Sequence, residues 1–273
     1  MIDSGVTPAA RRLLRLLTVV ALAGPVTLRA QASSAEILSG QELIYRGRFG
    51  AAQLYFADLS LAYPRDAAGP FLQASALIWW AEALGDEAFQ VDSVDLLLSD
   101  AIARAQLAAD SAGDEAARAA ALFWLGSAYG YRARQAEVRG SMWRAGRDAR
   151  AMRDALNGAY ALDSTRVDCL LGLGVYDYAL ARASAFGRLV ARIIGMGSGD
   201  ARRALGWMRR ASEEGLLTRT EARWVYASAL LREGDRGDPA SREDALRRIG
   251  DLAAQFPDNP VFRRALTPGG NAP

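Results

Sequence analysis

The chain has 273 residues, 51% of them hydrophobic, which is enough apolar material for one or two compact domains or one elongated array. It contains neither His nor Lys, so all 33 basic residues are Arg. These absences exclude imidazole bases, His metal ligands, Schiff-base lysines and the lysine of a P-loop. The lone Cys169 excludes an internal disulfide and a Cys-rich zinc site.

The first 32 residues have the order of a secretory signal peptide. Three Arg precede the apolar run 16–23, and Ala30 and Ala32 supply the small residues that signal peptidase reads. We predict a signal peptide over 1–32, cleaved after Ala32, and a mature domain over 33–273 that is periplasmic or secreted. A membrane anchor is the alternative, but the apolar run is far shorter than the roughly 20 residues that a spanning helix needs. No transmembrane segment is therefore expected in the mature chain.

The charges of the mature chain are close to balanced. Removal of residues 1–32 takes away four Arg and one Asp, which leaves 29 Arg and 30 acidic residues. Domains that bind nucleic acid usually carry a basic surface, so no nucleic acid partner is expected. The charges are nevertheless uneven along the chain, with eight acids and one Arg in 86–115 but seven Arg and three acids in 131–155.

Beyond residue 32 the pattern is helical almost throughout, because apolar residues recur three and four positions apart and strand-like alternation is absent. Breaks divide this part into intervals of 42 to 53 residues, and each interval fits two helices of roughly 15 to 20 residues joined by a turn. We therefore predict an all-α fold, an α-solenoid of about five antiparallel helical hairpins. The predicted pairs are 36–48 with 50–63, 70–84 with 92–110, 114–138 with 141–162, 165–183 with 199–214, and 218–233 with 241–256.

The fourth hairpin is interrupted by the least regular segment of the mature chain, 184–199. Gly195, Gly197 and Gly199 lie within five positions of one another at its end. Glycine at this density predicts a turn with positive φ angles or a close backbone contact. The short apolar stretch 189–194 is expected to form one more helical turn against the core.

Three hairpins carry residue spacings that are typical of a known repeat. In the first and last, a small residue is followed by a bulky one four positions later and by Pro twelve positions later. These residues are Ala52, Phe56 and Pro64, and Ala245, Ile249 and Pro257. In the third hairpin, Leu125, Gly126 and Tyr129 have the spacing of a first helix. In such a helix the small residue allows the partner helix to approach closely, and the aromatic residue fills the space between the two helices. The chain thus resembles tetratricopeptide repeats, which implies stacked antiparallel helix pairs, although its units exceed the roughly 34 residues of that family.

The second half has a more particular resemblance. Segments 172–178 and 256–262, Gly-Leu-Gly-Val-Tyr-Asp-Tyr and Phe-Pro-Asp-Asn-Pro-Val-Phe, resemble a group of exported bacterial repeat proteins with no established activity. The resemblance implies a tetratricopeptide-like fold and export. It supplies no function, because a fold does not determine one.

Aromatic and Arg residues on the predicted first helices form the candidate partner-binding site. They are Trp80, Tyr131, Arg134, Tyr176, Tyr178 and Arg182. First helices line the concave face of such arrays, where Tyr offers apolar area and Arg a forked donor for carboxylates. The expected ligand is therefore a protein or peptide segment, acidic or ending in a carboxylate. The alternative is that these side chains fill the core. Trp79 and Trp80 cannot face the same way on a helix, so one is expected in the core and the other in a groove.

The Arg-rich run 132–153 has two interpretations. Its Arg residues recur at short steps and could form a solvated helix face that pairs with Glu137, Asp148, Asp154 or the acidic second hairpin. Alternatively they bind an anionic partner, such as a peptide, a cell-wall polymer or lipid headgroups.

These observations favour a non-enzymatic protein–protein interaction scaffold of the bacterial cell envelope or periplasm, which binds a partner peptide on its concave face. No cofactor and no metal are expected. The alternative is a structural subunit of an envelope complex that assembles through its edges or terminal hairpins. A distant third hypothesis is a carboxylate-dependent hydrolase of cell-wall glycans that uses a pair such as Asp92 and Asp95.

Overall fold

The computed structural model describes residues 31–193 and 195–267, and all regular secondary structure in these ranges is α-helical. The predicted signal peptide, apart from its last two residues, lies outside the described residues. In chain order the helices are α1 (Ser34–Tyr45), α2 (Phe49–Ala62), α3 (Ala68–Leu84), α4 (Val91–Asp110), α5 (Glu115–Val138), α6 (Met142–Leu162), α7 (Cys169–Arg182), α8 (Ala185–Ile193), α9 (Ala201–Glu214), α10 (Arg219–Asp235), α11 (Pro239–Gln255) and α12 (Pro260–Arg264). None of these helices is both long enough and apolar enough to span a bilayer.

The helices pack as five consecutive hairpins, which confirms the predicted solenoid class. The pairs are α1 with α2, α3 with α4, α5 with α6, α7 with α9, and α10 with α11. The second helix of each hairpin also packs on the first helix of the next, so the array is continuous. The short helix α8 lies between the two halves of the fourth hairpin in sequence and contacts α6 and α7.

The residues of the repeat-like spacing occupy the interior of the first and last hairpins. Ala52, Phe56, Ala245 and Ile249 are fully buried, and Pro64 and Pro257 each follow the C-cap residue of a helix. In the first hairpin, a Cβ on Gly40 of α1 would lie 2.5 Å from the ring of Phe56. The absence of a side chain on one helix thus accommodates the bulky ring of its partner.

The third hairpin is packed differently from the sequence expectation. Gly126 does face the paired helix, because a Cβ there would lie 2.6 Å from Cγ of Leu156 and 3.2 Å from the carbonyl oxygen of Met152. The space at Gly126 is therefore filled by Leu156 of α6, and not by Tyr129. Tyr129 is half-buried and packs beneath the guanidinium of Arg132, 5.1 Å from the ring centre.

The glycine-rich segment before α9 has both predicted features. Gly195 and Gly197 have φ angles of 70° and 81°, and a Cβ on Gly199 would overlap the carbonyl oxygen of Asp177. The stretch 189–194 is helical through Ile193, as part of α8, and it reaches the core through the buried Ala191. Leu189 and Ile193 of the same stretch are exposed instead.

The C-terminal segment closes the array onto its own beginning. The side-chain amide of Asn259 donates to the carbonyl oxygen of Tyr45 over 3.0 Å, at the end of α1. The ring of Phe262, in α12, is fully buried between Trp79 of α3 and Trp224 of α10, with ring centres 5.7 and 5.4 Å apart. Arg264 donates to two carbonyl oxygens at the end of α3. The inner side of the solenoid is therefore filled by the protein itself.

Candidate functional site

The predicted inner face contains a polar cluster that joins three hairpins. The Tyr131 hydroxyl, on α5, donates to the carboxylate of Glu221 on α10 and lies 3.3 Å from the hydroxyl of Ser75 on α3. The Tyr131 ring packs edge-on against Phe71, 5.0 Å between ring centres. We call Ser75, Tyr131, Glu221 and the nearby Tyr45 the inner-face cluster.

Burial controls the ionisation of this cluster. It raises the pKa of the Glu221 carboxyl above its ordinary value, while the hydrogen bond from Tyr131 and the positive charge of Arg134 act in the opposite direction. Burial also raises the pKa of Tyr131 and Tyr45 well above the ordinary tyrosine value, and the negative charge of Glu221 adds to this effect. Both phenols therefore keep their protons at physiological pH, and the Tyr131 hydroxyl acts as a donor toward the carboxylate.

A second predicted pair, Tyr178 and Arg182, is also occupied internally. Tyr178 is 7% exposed, and its hydroxyl donates to Glu233 of α10 over 2.7 Å. Arg182 donates to both oxygens of the same carboxylate, with Nε 2.9 Å from one of them. Burial raises the pKa of Tyr178 to about 12, so this residue too is a hydrogen-bond donor. The pair connects α7 to α10, with Tyr178 buried and Arg182 exposed but bound to Glu233.

The remaining predicted inner-face residues have partners as well. The buried Tyr176 donates to the carbonyl oxygen of Met196 over 2.9 Å and accepts from Arg153. Arg134 is partly exposed and forms an ion pair with Glu82, 2.9 Å away on α3. The expectation of one exposed Tyr and Arg strip is thus wrong. The array winds tightly enough for the first helices of different hairpins to supply acids to each other's Tyr and Arg. A role of these residues in partner binding stays a prediction.

The adjacent tryptophans lie in different environments. Trp79 is 7% exposed and packs against Tyr45 as well as Phe262. Trp80 is half-buried and lines a shallow groove of about 360 Å³ together with residues 47–51, at the turn between α1 and α2. We call this the Trp80 groove.

The Trp80 groove combines an aromatic face with an accessible cation. The Trp80 indole stacks at a tilt on Phe89, 5.1 Å between ring centres, and its free edge lies beside Gly50, where a Cβ would be 3.6 Å away. Arg48 borders the groove, is exposed, and forms no ion pair with any described residue. Arg48 is not among the site residues predicted from the sequence. The available signal was its position in the turn between two helices, with no acid within three residues.

No protein-family model matches the sequence, and no curated protein matches it. Across the described ranges there is also no group of three or more His, Cys, Asp or Glu side chains arranged to hold a metal ion.

The Arg-rich run divides between the two interpretations offered by the sequence. Arg139 binds Asp95 of the acidic second hairpin with two hydrogen bonds of 2.7 and 2.9 Å, and Arg132 binds Asp148 with two of 2.8 Å. In contrast, the exposed Arg144 has no acidic partner in the described part of the chain. One part of the run thus stabilises the fold, and another part remains free to meet a ligand.

Proposed function

We propose that this protein is a non-enzymatic interaction scaffold that binds an acidic peptide segment of a partner protein in the Trp80 groove. The observation that carries the proposal is the contrast between two surfaces. On the inner face, Tyr131, Tyr178 and Arg182 already have intramolecular acids as partners, whereas in the groove Trp80 and Arg48 are accessible together.

The chemistry of the groove suits a short peptide. Trp and Arg are the residues most enriched where binding energy concentrates in protein interfaces. A guanidinium without an acidic neighbour retains its donors for a carboxylate, and the adjacent indole supplies apolar area for the next side chain. A volume of about 360 Å³ holds one or two side chains, so the ligand is an extended segment and not a folded domain.

A peptide on the inner face would have to displace existing contacts. The Glu233 carboxylate receives donors from both Tyr178 and Arg182, and its pKa is lowered below the ordinary value because these hydrogen bonds favour its charged form over the opposing effect of burial. Removal of either donor would leave part of a half-buried carboxylate without its partner. A peptide that binds in the Trp80 groove would leave no such carboxylate without its partner.

The proposal includes export to the periplasm or medium. The basic, apolar and small-residue order of 11–32 supports it, as does the placement of Ser33. Ser33 is the N-cap of α1, and its side chain and that of Glu36 form a reciprocal capping box, so the side chains that cap the first helix all come from residue 33 onward. N-terminal sequencing of fractionated cells should find Ser33 first. Intact Met1 in the mature protein would contradict export by this route.

Partner recovery tests the groove. Mature protein is immobilised and incubated with its own envelope fraction. Combining Trp80→Ala with Arg48→Glu should reduce the amount of recovered partner at least tenfold, which corresponds to a loss of about 1.4 kcal/mol or more in binding free energy. The exposed Arg65→Glu gives a matched charge change outside the groove and should leave recovery unchanged.

A paired inner-face variant separates the two surfaces. Arg134→Glu with Arg182→Glu breaks ion pairs to Glu82 and Glu233, so the melting temperature should fall. If that variant instead loses the partner while its melting temperature is unchanged, and the groove variant keeps the partner, the inner face is the binding site and the groove proposal is wrong.

A second candidate function, assembly through a terminal hairpin, is favoured by one observation. Leu54 and Leu61 lie seven positions apart on one face of α2, in the first hairpin, and both are largely exposed. In an envelope complex they would pack against another subunit. Leu54→Glu with Leu61→Glu should then shift the protein from a large complex to the monomer on gel filtration of solubilised envelopes. The glycan hydrolase hypothesis gains no support, because the carboxylate of Asp95 is occupied by Arg139.

A further inference from the structure

Helix α8 presents two of its apolar residues, Leu189 and Ile193, away from the protein. Ala191 is buried and marks the side of the helix that contacts α6 and α7. Leu189 and Ile193 are two positions before and after Ala191, and at 3.6 residues per turn both point to the opposite side. They are 52% and 61% exposed, four positions apart, and form a protruding apolar ridge. The exposed Arg188 and Arg192 flank this ridge.

The neighbouring face of α6 continues the same surface. Arg147 and Arg150 border a shallow depression of about 370 Å³ together with Ile193 and Gly195, so α6 and α8 meet here. Trp143 lies one turn before Arg147 on the same face of α6 and is 51% exposed. We define the α6–α8 surface by these side chains and their neighbours. It comprises Trp143, Arg144, Arg147, Arg150, Arg188, Leu189, Arg192 and Ile193.

Positive charge on this surface is largely uncompensated. The exception is Arg150, which forms an ion pair with Asp154 over 3.8 Å. Asp148 of α6 is buried and bound by Arg132. Among the described residues no acid forms an ion pair with Arg144, Arg147, Arg188 or Arg192. The guanidinium of Arg188 donates to the carbonyl oxygen of Ala183 over 2.6 Å but has no acidic partner. An anionic ligand would therefore meet four Arg without competition from an acid of the described residues.

We propose that the α6–α8 surface binds the anionic headgroup region of a phospholipid bilayer. The Arg guanidinium groups would contact lipid phosphates, and the negative surface potential of the bilayer would attract each of them. Leu189, Ile193 and Trp143 would insert at the boundary between the headgroups and the acyl chains. Trp is favoured at such boundaries because its ring is apolar and its N–H stays hydrated. This inference concerns a different face and ligand class from the Trp80 groove, and it does not rest on the proposed function.

The shape of the surface favours a bilayer over a soluble acidic partner. An acidic polymer or an acidic protein would be held by the Arg residues and would leave the protruding Leu189 and Ile193 in water. A fluid bilayer accepts a protruding apolar ridge without a complementary groove. The helix is short, so neither the charges nor the apolar residues suffice alone, and binding requires both.

Vesicle co-sedimentation of the mature chain tests the proposal. The protein should bind vesicles of equal parts phosphatidylcholine and phosphatidylglycerol, should not bind pure phosphatidylcholine, and should bind less as salt is raised, because exposed charges are screened. Leu189→Ser with Ile193→Ser should weaken binding to the anionic vesicles at least tenfold, and so should Arg188→Gln with Arg192→Gln.

Two further variants make the result decisive. Trp143→Ser lies on α6 and should also weaken binding even if the substitutions in α8 loosen that helix. Leu96→Ser with Leu107→Ser removes two largely exposed Leu from α4, outside the surface, and should have no effect. Helicity and melting temperature should stay unchanged in all variants because the altered side chains are exposed.

Either of two results would overturn the proposal. One is the absence of binding to anionic vesicles by the wild-type chain. The other is binding that depends on the Arg residues but is unaffected by Leu189→Ser, Ile193→Ser and Trp143→Ser. That outcome would assign the surface to an acidic polymer or protein. Loss of partner recovery by the Trp80 groove variants would affect neither result, so the two proposals can fail separately.

Discussion

Replacement of Phe262 by Ala tests the contact that closes the array. Its ring is fully buried and lies 5.7 Å from the Trp79 ring, 5.4 Å from Trp224 and 6.0 Å from Phe256, measured between ring centres. Truncation of a fully buried Phe to Ala costs about 3–5 kcal/mol, because transfer free energy is lost and a cavity remains. For a domain of this length the melting temperature falls roughly 2–4 °C per kcal/mol, which predicts a decrease of roughly 6–20 °C.

The location of the damage is more informative than its size. In an open solenoid each repeat contacts only its neighbours, so a cavity near the C-terminus would leave the first hairpins unchanged. Here Trp79 belongs to α3, and α3 packs against α1 and α12. Hydrogen exchange of Phe262→Ala should therefore accelerate in α1 and α3 as well as in α11 and α12.

A matched substitution controls for general effects at this end of the chain. Leu266 is partly exposed and lies only four residues from Phe262. Leu266→Ala should change stability by no more than about 0.5 kcal/mol. If Phe262→Ala accelerates exchange only in α11 and α12, and α1 and α3 keep their protection, then the ring does not hold the two ends of the array together and the closure described above is wrong.

Two other predictions concern the interior. Gly126→Leu should overpack the contact with Leu156 and lower stability by about 1–3 kcal/mol, seen as a lower denaturation midpoint, whereas Gly206→Leu, where nothing lies within 4 Å, should be close to neutral. Glu221→Gln should alter the pH dependence of the melting temperature. Because folding raises the pKa of Glu221, the folded state binds more protons than the unfolded state, so wild-type stability falls as pH rises from the ordinary Glu pKa through the folded-state value. The variant lacks this fall, and a melting-temperature difference that is constant across pH would contradict the assignment.

The sequence by itself determined the helices and their pairing. Local signals carry this information, since helix periodicity, a small residue such as Ala52 and a bulky one such as Phe56 four positions later specify which face meets the partner helix. Gly195 and Gly197 likewise predict positive φ angles from the sequence alone. For Trp79 and Trp80, the sequence predicted that one of the two would be exposed but did not indicate which one.

The tertiary structure decided which surfaces are free. Tyr131 and Glu221 are 90 residues apart, and Arg182 and Glu233 are 51 apart, so their pairing depends on how far the array turns over several hairpins. That turn is the sum of small rotations at each helix–helix contact, which side-chain shape sets at every interface and which no short pattern records. The same holds for Leu189 and Ile193. Their spacing marks an apolar helix face, but whether that face meets the core or solvent depends on where α6 and α7 place the helix.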